Sequence, residues 1–251
     1  MAELCALEPD YLLVIGWSQL IKSELLQLPR RGAIGFHPAL LPENRGRAAL
    51  PWVILRGLKR TGVSLFFLDE GMDSGDIICQ QEIEVAPDET ARTLYNKVSA
   101  AEQSLMRQIA PWIMQGKLLR RAQDHSQATY TAKRTARDGL IDWQQSAHQI
   151  WTLIRAVSDP YPGAFTFYRG RKLTIWSADL VSCANYVGVP GQVLRPEEDG
   201  VLVQCGAGHI RLRTVQEEGQ AMRPAADYFT RVHDVLGIDW LALYEQMQNL
   251  K

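Results

Sequence analysis

The chain has 251 residues, 46% of them hydrophobic and 22% charged, with a formal net charge of -1 at pH 7. This is the composition of an ordinary globular protein with room for one large domain or two small ones. The charge gives no overall reason to bind nucleic acid, and no apolar run is long enough to predict a transmembrane helix.

The first part of the chain predicts short strands that alternate with short helices. Residues 11–15 are continuously apolar, which is typical of a central parallel strand covered on both faces. A short helix over 23–28 follows, with Ser23 as its N-cap. Residues 32–36 predict a second strand, which ends at His37-Pro38 because proline cannot extend a central ladder. Residues 49–58 predict another helix.

Residues 61–85 predict two strands around a loop that is rich in Gly and Asp. The first strand covers 63–68, and the second begins at Ile77. The clearest helical periodicity runs from Asp88, a predicted cap, to Gly116, a predicted stop. The polar residues 117–135 that follow are predicted to form a loop.

The pattern changes in the last hundred residues or so. A helix begins near residue 142 and ends in a Pro/Gly break, and short strands then recur at intervals of roughly ten residues. We therefore predict an α/β fold: a Rossmann-like domain at 1–122, partial at its N-terminus, a linker at 123–141, and a mostly β, barrel-like domain with one helix at 142–251.

His37 and Asp73 are the leading site residues. His37 follows a buried strand, and ligands bind at the carboxyl ends of strands in open α/β sheets. Asp73 lies in the loop after the next strand, so the two loops are expected to face one crevice. A carboxylate beside a histidine makes a proton relay. A packed histidine and a turn aspartate remain the alternative interpretation.

Other residue types narrow the chemistry. The five histidines are isolated and the four cysteines form no CxxC pair, so no metal site is predicted. Ser18 lacks a nucleophile elbow. Arg45 and Arg47 are either an anion site or solvated loop residues. Scattered cysteines without a visible secretory signal predict a cytoplasmic location.

Two blocks carry a family resemblance. HPALLPENRGRAALPW and TGVSLFFLDEGMDSGDIICQQ resemble the core of the 10-formyltetrahydrofolate-dependent formyltransferases of the methionyl-tRNA and amino-sugar type. RTARDGLIDWQQSAHQIWTLIRAVSDPYPGAF and LRTVQEEGQAMRPAADYF look like the junction and C-terminal domain of that family. The resemblance covers nearly the whole chain and implies 10-formyltetrahydrofolate as co-substrate, without a metal.

The resemblance also implies a mechanism, in which an acceptor amine attacks the formyl carbon. His37 would stabilise the oxyanion and shuttle the proton, Asp73 would orient His37, and Asn44 is a third catalytic candidate. Residues near the pterin would be the following: Trp17, Ser18, Gln19, Leu20, Ile21, Leu41, Asp69, Glu70, Gly71 and Met72.

Two departures from the family pattern affect this expectation. The family asparagine stands two positions before the histidine, where this chain has Gly35. Loss of such a carbonyl-polarising donor typically lowers the rate on the order of a hundred- to a thousand-fold. The usual first βα units are also missing, which suggests a shortened domain, a homo-oligomer or a partner that completes the sheet. Activity is therefore expected to be weakened.

The acceptor remains open between two substrates. The DGLIDW and RAVSDPYPGAF stretches look closer to a UDP-4-amino-4-deoxy-L-arabinose formyltransferase, which favours a nucleotide-linked amino sugar. Methionyl-tRNA is the alternative, and a local basic patch would then contain Arg195, Arg211, Arg213, Arg223 and Arg231. A catalytically impaired folate- or nucleotide-binding homologue and a structural subunit are the non-enzymatic alternatives. No membrane partner is expected.

Overall fold

The computed structural model describes residues 4, 6–17, 19, 21–182, 185–229 and 231–248. The chain divides into two compact units, Met1–Arg134 and Thr135–Lys251. Within the described ranges, no helix combines the length and the apolar character that a membrane span requires.

The described elements of the first unit alternate as the sequence predicts. In chain order they are β1 (Tyr11–Val14), α1 (Ser23–Leu26), β2 (Gly32–His37), β3 (Arg45–Gly46), α2 (Ala49–Leu55), β4 (Arg60–Phe67), β5 (Ile77–Glu84), α3 (Ala91–Gln115), a 3₁₀ turn (His125–Gln127) and β6 (Tyr130–Thr131).

Four of these strands form a sheet in the order β1-β2-β4-β5, and β3 pairs with β6. β1 and β2 are parallel, whereas β2 pairs with β4 and β4 with β5 in antiparallel fashion. Because β2 and β4 are antiparallel, the loop after β4 begins beside Ile34, near the start of β2, and not beside His37 at its end. Helix α3 packs on β4 and β5, and Ile109 meets Ile34, Leu65 and Phe67 in the core beneath the site.

The position predicted for the first strand is wrong. In the described sheet β1 lies at an edge, and Leu13 and Ile15 near it are 40% and 60% exposed. An apolar run shows that a strand is hydrophobic, but it does not show how many neighbours the strand has.

Two helix starts also differ from the prediction. Ser23 is the first residue of α1 and not its cap, which is Lys22; the Ser23 hydroxyl donates to Glu70 Oε1 at 2.8 Å. Helix α3 is capped by Thr90 instead of Asp88, since Thr90 Oγ1 accepts from the backbone N–H of Thr93. Gly116 ends α3 at a φ of +64°, as predicted.

The described part of the second unit contains three helices and an antiparallel sheet. Its described elements are a 3₁₀ turn (Ala136–Gly139), α4 (Ala147–Val157), β7 (Ala164–Tyr168), β8 (Arg171–Val181), β9 (Val193–Glu197), β10 (Gly200–Gln204), β11 (His209–Glu217), β12 (Arg223–Pro224), α5 (Ala225–Tyr228) and α6 (Trp240–Gln248).

The sheet order is β7-β8-β11-β10-β9, and β12 pairs with β11. Helix α4 packs mainly on β8. The predicted α/β domain followed by a helix and a mostly β domain is therefore confirmed. Among the described strands, however, β7 and β9 do not pair, so the sheet does not close into a barrel.

Candidate active site

His37 is held by its own chain at the carboxyl end of β2. The residue is 5% exposed, and its Nε2 lies 2.8 Å from the backbone carbonyl oxygen of Asn44. Because a carbonyl oxygen only accepts hydrogen bonds, Nε2 carries the proton of the neutral ring. The lone pair is therefore on Nδ1, on the other side of the imidazole.

Asp73 faces that second nitrogen. Its Oδ2 lies 3.5 Å from His37 Nδ1, and it accepts the backbone N–H of Gly46 at 2.8 Å. The Asp73 side chain is 22% exposed and the His37 side chain 6%, so the pair is reached from the carboxylate side. The structure thus brings together the histidine and the aspartate that the sequence singled out.

The distance between His37 Nδ1 and Asp73 Oδ2 suits a pair of side chains that shares one proton. An approach of about 0.5 Å would bring Nδ1 and Oδ2 to hydrogen-bond distance, and such contacts are often long before substrate binds. A proton on Nδ1 would make an imidazolium that faces the Asp73 carboxylate. The pair can therefore accept a proton from a substrate and return it.

Asn44 reaches His37 through its backbone and not through its side chain. Its Oδ1 accepts from Arg56 Nη1 at 2.6 Å, while its N–H donates to Thr129 Oγ1 at 2.8 Å. The side-chain oxygen is thus already engaged. A catalytic role for Asn44 stays a prediction. The contact that the structure shows is the hydrogen bond from His37 Nε2 to the Asn44 backbone carbonyl, which orients the imidazole.

The side chain of Leu68 fills the space into which a side chain at Gly35 would project. Residues 35 and 37 project to the same face of β2, because side chains alternate along a strand. A Cβ on Gly35 would lie 2.8 Å from Leu68 Cδ2, closer than a normal contact. Leu68 therefore occupies the space beside His37 that a larger residue at position 35 would need.

The two segments predicted to meet the pterin lie near each other. Ser23 follows the first segment closely, and its bond to Glu70 joins it to the loop of the second. That loop is shaped by Asp69 Oδ1, which accepts from the Gly71 N–H and the Ser74 hydroxyl. Trp17 and Met72 are 61% and 48% exposed, Gln19 is exposed and Ile21 is partly buried. Ser18 and Leu20 lie outside the described residues.

Leu41 is part of the protein core. It packs with Phe66 and Ile77, its N–H donates to Ser64 Oγ, and its carbonyl accepts from Gln80 Nε2. Both of its backbone groups are thus already bonded, and its role towards a pterin stays a prediction.

Both interpretations of Arg45, as an anion-binding residue and as a solvated loop residue, are contradicted by its burial. Arg45 is 2% exposed, and its guanidinium donates to Gln123 Oε1, the Tyr130 hydroxyl and His125 Nδ1. A loop pattern of Arg and Gly could not indicate this, because the partners lie about eighty residues later in a polar stretch. Arg47 is exposed and forms contacts within the protein.

In the second unit, carboxylates accompany most of the arginines that could have formed a basic patch. Glu197 accepts from Arg195 and from Arg211. The hydrogen bond from Arg195, and after it the one from Arg211, hold the pKa of the Glu197 carboxyl below its usual range. Arg213 pairs with Asp179 and Asp199.

Buried groups of the same unit have shifted titration. Burial, together with a hydrogen bond to Asp234, raises the pKa of Tyr168 to about 12. Burial also raises the pKa of the Cys205 thiol to about 12, and that of Cys79 in the first unit to about 11. These two thiols are therefore poor nucleophiles near neutral pH.

Comparison with known proteins decides the family. The model described as "Formyl transferase" matches residues 1–109, and "Formyl transferase, C-terminal domain" matches 133–233. Methionyl-tRNA formyltransferase of Geobacter sulfurreducens is 34% identical over 226 residues, which are 90% of this chain and 70% of that protein. The chain belongs to the formyl transferase family. The family resemblance and the prediction of a formyltransferase are confirmed.

Solved structures agree with this formyltransferase fold. A 4-N formyltransferase from Francisella tularensis is 27% identical with a TM-score of 0.57, over 65% of this chain and 68% of that one. HypX from Aquifex aeolicus, solved with tetrahydrofolic acid, has a TM-score of 0.73 at 21% identity, over 91% of this chain. The formyltransferase spans 40% of the HypX chain, so this likeness supports the fold alone.

A third solved structure contains both a folate and a nucleotide-linked amino sugar. The N-formyltransferase from Helicobacter canadensis was solved with folinic acid and dTDP-3-aminofucose. It has a TM-score of 0.58 at 18% identity, over 80% of this formyltransferase and 72% of that chain. At this identity it too supports the fold alone.

Proposed function

We propose that this formyltransferase moves a formyl group from 10-formyltetrahydrofolate to a primary amine, with His37 and Asp73 as the proton-transfer pair. The observation that carries the proposal is the 3.5 Å contact between His37 Nδ1 and Asp73 Oδ2 at the carboxyl end of β2. The choice of donor rests on the family to which the chain belongs, and HypX and the Helicobacter enzyme, which share its fold, were solved with tetrahydrofolic acid and folinic acid.

The residues act on the proton and on the developing charge. The amine attacks the formyl carbon, a C–N bond forms, and the carbonyl oxygen becomes an oxyanion. Asp73, the more exposed member, receives the amine proton and passes it to His37 Nδ1. The imidazolium so formed stabilises the oxyanion. When the bond between the formyl carbon and the folate nitrogen breaks, the pair returns the proton to that nitrogen.

The surface near the proposed donor site suits a pterin in its chemistry. An exposed indole at Trp17 offers a flat apolar face, and the 69–72 loop, which is joined to Ser23 through the Glu70 side chain, offers polar groups. Pockets for such ligands combine apolar faces with a few polar groups.

For the acceptor, we propose the amino group of a nucleotide-linked sugar. Binding to tRNA depends on cations that neutralise phosphates. Five described arginines of the second unit each form a salt bridge with a carboxylate, namely Arg169, Arg171, Arg195, Arg211 and Arg213. The net charge of -1 points the same way. A small acceptor places no such demand on the surface.

Methionyl-tRNA is the second candidate acceptor. It is favoured by the 34% identity to the Geobacter sulfurreducens methionyl-tRNA formyltransferase over 90% of this chain. A tRNA acceptor predicts binding that weakens steeply as salt rises, whereas a sugar nucleotide predicts a shallow salt dependence.

One experiment tests donor, acceptor and pair together. Formyl transfer is measured with 10-formyltetrahydrofolate against a panel of amino-sugar nucleotides and charged initiator tRNA, for wild type, His37→Ala and Asp73→Ala. Turnover of a sugar nucleotide that both variants lose supports the proposal. Turnover of tRNA alone overturns the acceptor, and binding without any transfer identifies an impaired binding homologue.

A further inference from the structure

Gln123 is a buried amide with every hydrogen-bonding position occupied. It is 5% exposed and lies in the 120–131 segment, which follows α3. Its Oε1 accepts from Arg45 Nε at 3.2 Å and from Arg45 Nη2 at 2.6 Å. Its Nε2 donates to the backbone oxygens of Asp73 at 2.9 Å and Gly75 at 2.7 Å. An amide side chain offers two donors and accepts about two bonds, so this one is fully used.

The orientation of this amide is fixed by Arg45. The guanidinium has only donors, so it requires the oxygen of the amide and turns the NH₂ group towards the 73–75 loop. Among the described residues, the polar partners of the Arg45 guanidinium are neutral groups of Gln123, His125 and Tyr130. No carboxylate therefore competes for the guanidinium there.

Asp73 needs external bonds to hold its place. Its φ is +52°, a left-handed conformation that is unfavourable for a residue with a Cβ. Gln123 fixes its backbone oxygen, and the Gly46 N–H fixes its carboxylate. Gly46 belongs to β3, which pairs with β6 at the end of the 120–131 segment. One segment of chain therefore secures Asp73 at both its main chain and its side chain.

We propose that Gln123 is a positioning residue for formyl transfer, which sets the Asp73 carboxylate opposite His37 through the two hydrogen bonds to the 73–75 loop. The inference rests on the proposed function of the His37–Asp73 pair. Gln123 acts through Asp73 and touches neither substrate.

Gln123→Glu separates the two halves of the contact. The carboxylate keeps its acceptors for Arg45 but puts an oxygen where two donors faced the carbonyls of Asp73 and Gly75. Since a displacement of 1 Å at a reacting group can cost about a hundredfold, we expect kcat to fall roughly 10- to 100-fold, with both KM values within about twofold. In an Asp73→Asn background the same change should lower kcat no further.

A matched control is Gln127→Glu. Gln127 is exposed in the same segment, and its amide lies 3.5 Å from Ser126 Oγ. This variant changes the same atoms and the same charge away from the loop. It should keep the wild-type kcat.

Amide hydrogen exchange supplies a readout that does not depend on activity. In Gln123→Glu, the Gly46 N–H should lose protection, because its partner is Asp73 Oδ2. The N–H groups of Arg45 and Arg47, bonded to Thr129 O and Thr131 O, should stay protected.

Selective exposure of Gly46 with a lower kcat supports the inference. Unchanged Gly46 protection and unchanged kcat overturn it, and so does loss of protection at all three amides, which would show a purely structural brace. If wild type transfers no formyl group, the proposed function fails, while the exchange data still decide whether Gln123 positions Asp73.

Discussion

Leu68 lies in the space into which a side chain at Gly35 would project, 2.8 Å from the ideal Cβ position. His37 is two residues further along the same strand face, so this space adjoins the proton-transfer pair. The absence of a polar side chain at 35 and the presence of Leu68 are thus linked, and the two positions should be changed together.

We expect Gly35→Asn alone to give little gain, since Leu68 must shift to make room. Gly35→Asn with Leu68→Ala frees the space and adds a carbonyl-polarising donor, so kcat should rise about tenfold or more. The assay is formyl transfer with the preferred acceptor, and Leu68→Ala alone is the control. A double variant no faster than Leu68→Ala would contradict the idea that position 35 limits the rate.

Asp73→Asn should lower kcat by roughly 10²- to 10⁴-fold, the usual range for loss of a general acid or base. The amide oxygen can still accept from the Gly46 N–H, so the loop should keep its shape while the charge is lost. Asp76→Asn is the matched control, because Asp76 lies in the same loop and forms a long ion pair with Arg120, at 3.9 Å. Equal losses in both variants would argue against a specific role of Asp73.

Glu197→Gln should create a basic patch that the wild type lacks. The substitution leaves Arg195 and Arg211 without the carboxylate that both contact. We expect stronger tRNA retention at low salt, lost again as salt rises. Filter binding of wild type and variant over a salt series measures this. Strong salt-dependent retention by wild type would instead favour the tRNA acceptor.

The second unit should lose stability at high pH. Folding raises the pKa of Tyr168 from its ordinary value near 10 to about 12, mainly by burial and then by its bond to Asp234. The contribution of Tyr168 to the free energy of unfolding is thus complete below about pH 10 and is lost as the pH rises through about 12. Chemical unfolding from neutral pH upward, with tyrosinate absorbance, tests this. Tyr168→Phe should show a smaller alkaline loss; the same loss would exclude Tyr168 as its source.

The sequence predicted that β2 and β4 are neighbours, and the structure does bring His37 and Asp73 together. The sequence did not show that the two strands are antiparallel, so that the loop after β4 starts near the beginning of β2 and extends back to His37. It was insufficient for Gln123, which bonds to Arg45 from 78 positions away and belongs to a stretch without periodicity. Arg45 shows the same limit, since a buried arginine and a solvated one have the same local pattern. Periodicity reports burial along an element, whereas bonds between distant loops depend on the tertiary structure.

The hydrogen bond from His37 Nε2 to the Asn44 carbonyl has a further consequence for inhibitor design. A ring turned by half a revolution would leave that carbonyl without a donor, so the imidazole is locked before any substrate arrives. Ligands that bind at the more exposed Asp73 carboxylate should therefore meet a rigid imidazole behind it and lose little rotational entropy on the protein side.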